Sequence, residues 1–194
     1  MSNVKACVFA SGTGSNFEAI MNESDLGCDI VLLVCDQPGA KVIDKAARQD
    51  IPTFVFDAKA FDSKADYERK LIQILHEHGV EWIFLAGYMR IVGPTLLQAY
   101  EGKIVNIHPS LLPAFPGIDA IGQAYREGVK VTGVTVHFID EGIDTGPIIA
   151  QQAVNVLPDD TIDTLKKRIQ QVEHKLYPQV IQQLVKQEVA TENK

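Results

Sequence analysis

Short apolar runs alternate with amphipathic stretches along the first half of the chain. "KACVFA" (5–10), "IVLLVC" (30–35), "TFVF" (53–56), "EWIFLA" (81–86) and "KIVNI" (103–107) are apolar without strict alternation. That is the pattern of strands covered on both faces. Between them "SNFEAIMN" (15–22), "KVIDKAARQD" (41–50) and "SKADYERKLIQILHEHG" (63–79) carry helical spacing, and a short helix follows Pro94. Ser63 reads as an N-cap and Gly79 as a C-terminal stop. Strand–helix alternation predicts right-handed crossovers and a parallel sheet. Later, "AIGQAYREG" (120–128) reads as a helix, while "VTGVTVHFI" (131–139) and "PIIAQQAVNV" (147–156) alternate like half-buried, antiparallel strands. Residues 159–188 close the chain as one long or kinked helix, with Pro178 marking the kink. The predicted fold class is α/β: a mixed, mainly parallel Rossmann-like sheet with helices on both faces and antiparallel strands toward the C-terminus.

Composition narrows this to one domain. The chain has 194 residues, is 46% hydrophobic and shows no repeat, enough for one sizeable core. A net charge of −7 argues against nucleic acid or an acidic membrane surface as partner. No apolar run approaches the roughly 20 residues of a membrane span, and "MSNVKACVFA" lacks a signal-peptide core. Cys7, Cys28 and Cys35 have no C-x-x-C spacing and suit a reducing compartment. A cytoplasmic protein acting on small molecules is expected, with at most a second copy of itself as a homodimer partner.

The first candidate chemistry is "ASGTGSNF" (10–17), which leaves the first strand and opens a helix. Gly12 and Gly14 allow a tight turn, and Ser15 and Asn16 lie where free N–H groups and the positive helix end favour an anion. Phe17 replaces the third glycine of a dinucleotide motif, although Asp36 ends the next strand where a ribose-binding acid would stand. A phosphate monoester, a dinucleotide and a purely structural turn all stay open here.

"IVNIHPSLLPAFPG" (104–117) is the second. Asn106 and His108, two apart on a strand, point to one face at its carboxyl end, where such sheets bind ligands. An amide N–H beside an imidazolium suits an oxygen that becomes negative during acyl transfer. Asp140, Glu141 and Asp144 crowd the Gly-rich loop of "VHFIDEGIDTGPII" (136–149), and a carboxylate reaching His108 would favour its cationic form. No nucleophile elbow and no clustered metal ligands accompany these residues. Direct attack by the acceptor's own amine is the chemistry left.

"SGTGSNF", "LAGYMRIVGP", "NIHPSLLPAFPG" and "GVTVHFIDEGIDTGPII", in this order, resemble the folate-dependent formyltransferases. The resemblance runs from Val4 to about Val185. It implies transfer of a formyl group from 10-formyltetrahydrofolate, as co-substrate and without metal, to the amine of glycinamide ribonucleotide. Asn106, His108 and Asp144 match the catalytic trio: the first two stabilise the oxyanion, His108 protonates the leaving nitrogen, and Asp144 tunes His108. Gly14, Ser15 and Asn16 match the phosphate loop, with Gln170 and Glu173 closing over the ribonucleotide. Met89, Arg90, Ile91, Val92, Asn106 and the run Asp140, Glu141, Gly142, Ile143, Asp144 match the folate site. Lys64 stands where relatives carry Arg toward the folate tail, which makes it a point charge. The Leu112–Pro113 bond is expected cis. Residues 1–100 would form the ribonucleotide-phosphate half of the domain and 101–194 the catalytic and folate half.

A formyltetrahydrofolate hydrolase is the alternative, but it would bear an N-terminal regulatory domain for which the first strand, starting at residue 5, leaves no room. A methionyl-tRNA formyltransferase would need a C-terminal tRNA-binding domain and a basic surface. A non-catalytic folate or nucleotide binding module would bind without turnover.

Overall fold

The computed structural model describes residues 3–192. Its elements are β1 (Val4–Ala10), α1 (Ser15–Met21), β2 (Cys28–Cys35), α2 (Lys41–Arg48), β3 (Thr53–Val55), α3 (Lys64–Glu77), β4 (Trp82–Leu85), α4 (Pro94–Ala99), β5 (Ile104–His108), α5 (Ala120–Glu127), β6 (Val131–Phe138), β7 (Ile148–Asn155) and α6 (Ile162–Glu192). The strands form one sheet in the order β3-β2-β1-β4-β5-β6-β7. It is parallel from β3 to β5 and antiparallel from β5 through β6 to β7. The chain winds outward from β1 to β3, then returns to β1's other side with β4. That reversal opens a crevice at the carboxyl ends of β1 and β4, the usual ligand position in such sheets.

Side-chain alternation splits the core into two layers. Ala6 and Val8 of β1 and Trp82 and Phe84 of β4 pack with Phe17, Ile20, Val42, Leu165, Ile169 and Tyr177. Cys7, Phe9, Ile83 and Leu85 face Tyr67, Leu71, Leu75 and Leu96 on the other side. Both faces are therefore apolar, which is why these strands read as continuous runs. Ser63 caps α3 by accepting from Asp66 N at 3.2 Å, and Gly79, with φ +67°, follows its end.

The last segment is one long helix, as expected: α6 runs through Pro178, which sits inside it. Tyr177, fully buried, donates from its hydroxyl to Leu85 O at 2.8 Å and Val105 O at 3.1 Å. These bonds hold α6 to the ends of β4 and β5. Cys7 and Cys35 are buried free thiols whose ionisation burial opposes. No described helix is long and apolar enough to cross a membrane.

Candidate active site

Asn106 and His108 leave β5 on one face, and β6 supplies the partner of the first. Asn106 stands opposite His137, with its Nδ2 3.3 Å from His137 Nε2. His137 Nδ1 lies 2.8 Å from Phe138 O, a contact only an N–H can make, so Nε2 is left as an acceptor. Burial pushes the His137 imidazole below the ordinary histidine range, against the opposing effects of the Phe138 carbonyl and Asp144. A neutral His137 therefore takes one Asn106 N–H and leaves the second available to a ligand. His137 is the functional residue that sequence reasoning passed over. Its place directly across from Asn106 exists only once the two strands pair.

His108 is 5% exposed. Its Nε2 donates to Phe115 O at 2.9 Å, and Nδ1 lies 3.4 Å from Asp144 Oδ2. The second separation exceeds the 2.7–2.9 Å of a tight charge-assisted bond, as free active sites commonly show. Asp144 sits at φ +55° and accepts from Gly117 N at 2.7 Å. At 3.8 Å from His137 Nε2, its other oxygen makes no hydrogen bond there.

The proline-rich segment after His108 is held by Thr135. Its hydroxyl donates to Ser110 O at 2.7 Å and accepts from Leu112 N and Gln151 Nε2, both at 3.0 Å. Gln151 also donates to Leu112 O at 2.8 Å. The Leu112–Pro113 bond is cis, as expected.

A lip follows β4. Met89 is 71% exposed and Ile91 55%, whereas Val92 is buried. As core, Met89 and Ile91 would be anomalous; as ligand-facing apolar residues they are consistent. Arg90 turns inward, its Nε 2.8 Å from Asp36 Oδ2. Lys64 is exposed, and its Cδ runs alongside Gly93 at the end of the lip. Across the cleft mouth, Asp140 Oδ1 accepts from Gly142 N at 3.0 Å and Thr145 Oγ1 at 2.7 Å. Asp140 thus shapes its own loop, leaving Glu141, Gly142 and Ile143 exposed.

The loop after β1 ends in Gly14, the residue before α1, at φ +74°. A Cβ there would lie 2.5 Å from Val42 Cγ2, so this glycine serves packing against α2 as well as the turn. Gly12 has open space around it. Asn16 lies beside Glu173 of α6, and its Oδ1 is buried without a hydrogen-bond partner. Glu173 is 8% exposed, and burial lifts its carboxyl to about 7 against the lowering contact from Asn16. Gln170 precedes it by one helical turn, half-buried.

In sheet order the loop after β1, the lip after β4 and the trio at β5 and the β6–β7 loop are consecutive neighbours. Two concavities, of about 440 and 550 Å³, lie beside α1 and beside α5, and Asn106, His108 and Asp144 line neither. Among the described residues no group of His, Cys, Asp and Glu could hold a metal ion. Asp36, weighed as a ribose-binding acid, is 2% exposed and already engaged by Ser11 and Arg90.

Residues 4–181 match the family described as formyl transferase. The phosphoribosylglycinamide formyltransferase of Bacillus subtilis (strain 168) is 59% identical over 184 residues, covering 93% of this chain and 94% of that protein. The human trifunctional purine biosynthetic protein adenosine-3 is 39% identical over 92% of this chain, which spans 18% of that protein's length. Among solved structures, glycinamide ribonucleotide transformylase 1 from Geobacillus kaustophilus superposes with a TM-score of 0.92 at 59% identity, covering 94% of this chain and 99% of that one.

Proposed function

The chain belongs to the formyl transferase family, and on that footing we propose that it moves the formyl group of 10-formyltetrahydrofolate to the amine of N1-(5-phospho-D-ribosyl)glycinamide in purine biosynthesis. The observation that carries the reading is a His137-oriented Asn106 amide on the same strand as His108, which in turn stands beside Asp144.

The residues suit each step. The free N–H of Asn106 and the Nδ1 edge of His108 face the position where the formyl oxygen gains charge as the amine attacks. Such donors act strongly in a site that excludes water. His108 then protonates the departing folate nitrogen, with Asp144 holding the imidazole and stabilising its charge. Nε2 stays committed to Phe115 O, so Nδ1 is the nitrogen that exchanges.

The formyl donor fits the second wall. A flat heterocycle with a donor–acceptor edge is well read by backbone groups between apolar side chains, and the exposed Met89, Ile91 and Ile143 supply that surface. Backbone groups of Arg90, Val92 and residues 140–144 read the edge, and Lys64 meets the anionic tail. The ribonucleotide's phosphate lies on the N–H groups of Gly14, Ser15 and Asn16. Glu173 and Gln170 take its ribose hydroxyls, and the unpartnered Asn16 Oδ1 fits a hydroxyl or amide donor. The two halves of the domain therefore share sites: Met89–Val92 belong to the first, Gln170 and Glu173 to the second. The free thiols suit the cytoplasm. Incubation with both substrates and mass analysis of the ribonucleotide tests the reading: formylated product is expected, and its absence refutes it.

A further inference from the structure

We propose that Asp36 is a positioning residue for the formyl donor, acting through Ser11 and Arg90 on the lip of residues 87–92. The inference rests on the donor reading of that lip. Asp36 ends β2, two strands from β4 in the sheet, and touches none of the residues assigned to chemistry. Its carboxylate is nevertheless 2% exposed, and a buried charge is retained only where partners compensate it.

Two of those partners, Ser11 and Arg90, lead to the lip. Oδ1 accepts from Ser11 Oγ at 2.5 Å, and Ser11 Oγ accepts in turn from Met89 N at 2.9 Å. Ser11 N donates to Gly87 O at 3.1 Å. Oδ2 lies 2.8 Å from Arg90 Nε and 3.4 Å from Gln37 Nε2. The Arg90 Nε–H makes no directional hydrogen bond, so the pair is held by charge and proximity. Its guanidinium stands 6.0 Å from the Tyr67 ring centroid.

The consequence is an alternation. Met89 and Ile91 face outward while Arg90 and Val92 face inward, which fixes where the backbone groups between them point. The Arg90 side chain is already 31% exposed, and without its buried counter-charge the guanidinium would swing out to solvent, turning the peptide groups on either side. Asp36 thereby decides which face of the lip meets the donor. It also ties that face to the first residue of the phosphate loop, because Ser11 is shared by both.

Asp36→Asn keeps an acceptor for Ser11 and removes the charge that Arg90 needs. Loss of a hydrogen-bonded charge of this kind predicts a donor KM raised about 10-fold. At saturating donor, kcat and the ribonucleotide KM should stay within about twofold of wild type, since uniform donor binding is what is lost. Ser11→Ala, which cuts the other tether, should raise the same KM. In an Arg90→Met background Asp36→Asn should add little, because its target is gone. Thermal unfolding of each variant separates this pattern from general loss of structure. An unchanged donor KM in an active Asp36→Asn enzyme overturns the inference alone, as does an equal rise in both substrates' KM. A wild type that neither binds nor turns over the donor overturns it together with the functional reading.

Discussion

Asn106 and His137 face each other across β5 and β6, and the Asn106 amide donates to the histidine's Nε2 at 3.3 Å. The histidine is fully buried and held neutral, so it acts as a fixed acceptor that orients the amide. His137→Leu removes that acceptor and leaves the amide free to rotate. The expected result is a kcat lowered about 10-fold, equivalent to one net hydrogen bond, with both KM values nearly unchanged. A rise in donor KM with intact kcat would place His137 in substrate binding instead.

Asn106→Ala removes the donor itself. Oxyanion donors are typically worth about 10²–10³ in rate, so kcat should fall by that amount and exceed the His137→Leu effect. The double variant should be no slower than Asn106→Ala alone, since the histidine has nothing left to orient. Additive losses would contradict the orienting role.

The sheet was legible because its central strands are covered on both faces and read as unbroken apolar runs. Ser63 and Gly79 bounded α3 by side-chain capping and positive φ, both local signals. Asn106, His108 and Asp144 were legible through motif context. His137 was not, because its role comes from antiparallel register; "VTGVTVHFI" reads as half-buried, whereas residues 132–137 are all buried beneath β6's neighbours. The partners of Asp36 were equally hidden, since Ser11 and Arg90 lie 25 and 54 positions away in the chain. The packing of Gly14 against Val42 of α2 was not legible either, because α2 reaches it only in the folded chain.

Glu173 links pH to stability. Its folded carboxyl is raised from 4.5 to about 7 by burial, so the folded state holds a proton that the unfolded chain has released. The stability this group contributes is full below about 4.5 and is lost as pH rises through about 7. Glu173→Gln, which cannot ionise, should match wild type in urea unfolding near pH 4.5. It should be more stable by up to about 3 kcal/mol at pH 8. A gap that stays constant across that range would remove Glu173 as the buried titrating group.

Asn16→Ala removes a buried, unpartnered acceptor in the loop proposed to hold the ribonucleotide's phosphate. The ribonucleotide KM should rise about 10-fold with donor KM unchanged, the loss expected for one or two hydrogen bonds. Equal effects on both substrates would make the loop a structural turn.

Direct passage of formyl to a bound amine is the step proposed for the trio. It is tested by following consumption of 10-formyltetrahydrofolate with and without the ribonucleotide. One formylated ribonucleotide is expected for each donor consumed, with negligible consumption when the ribonucleotide is left out. Equal consumption in both reactions, with formate as product, would contradict it and mark the chain as a hydrolase.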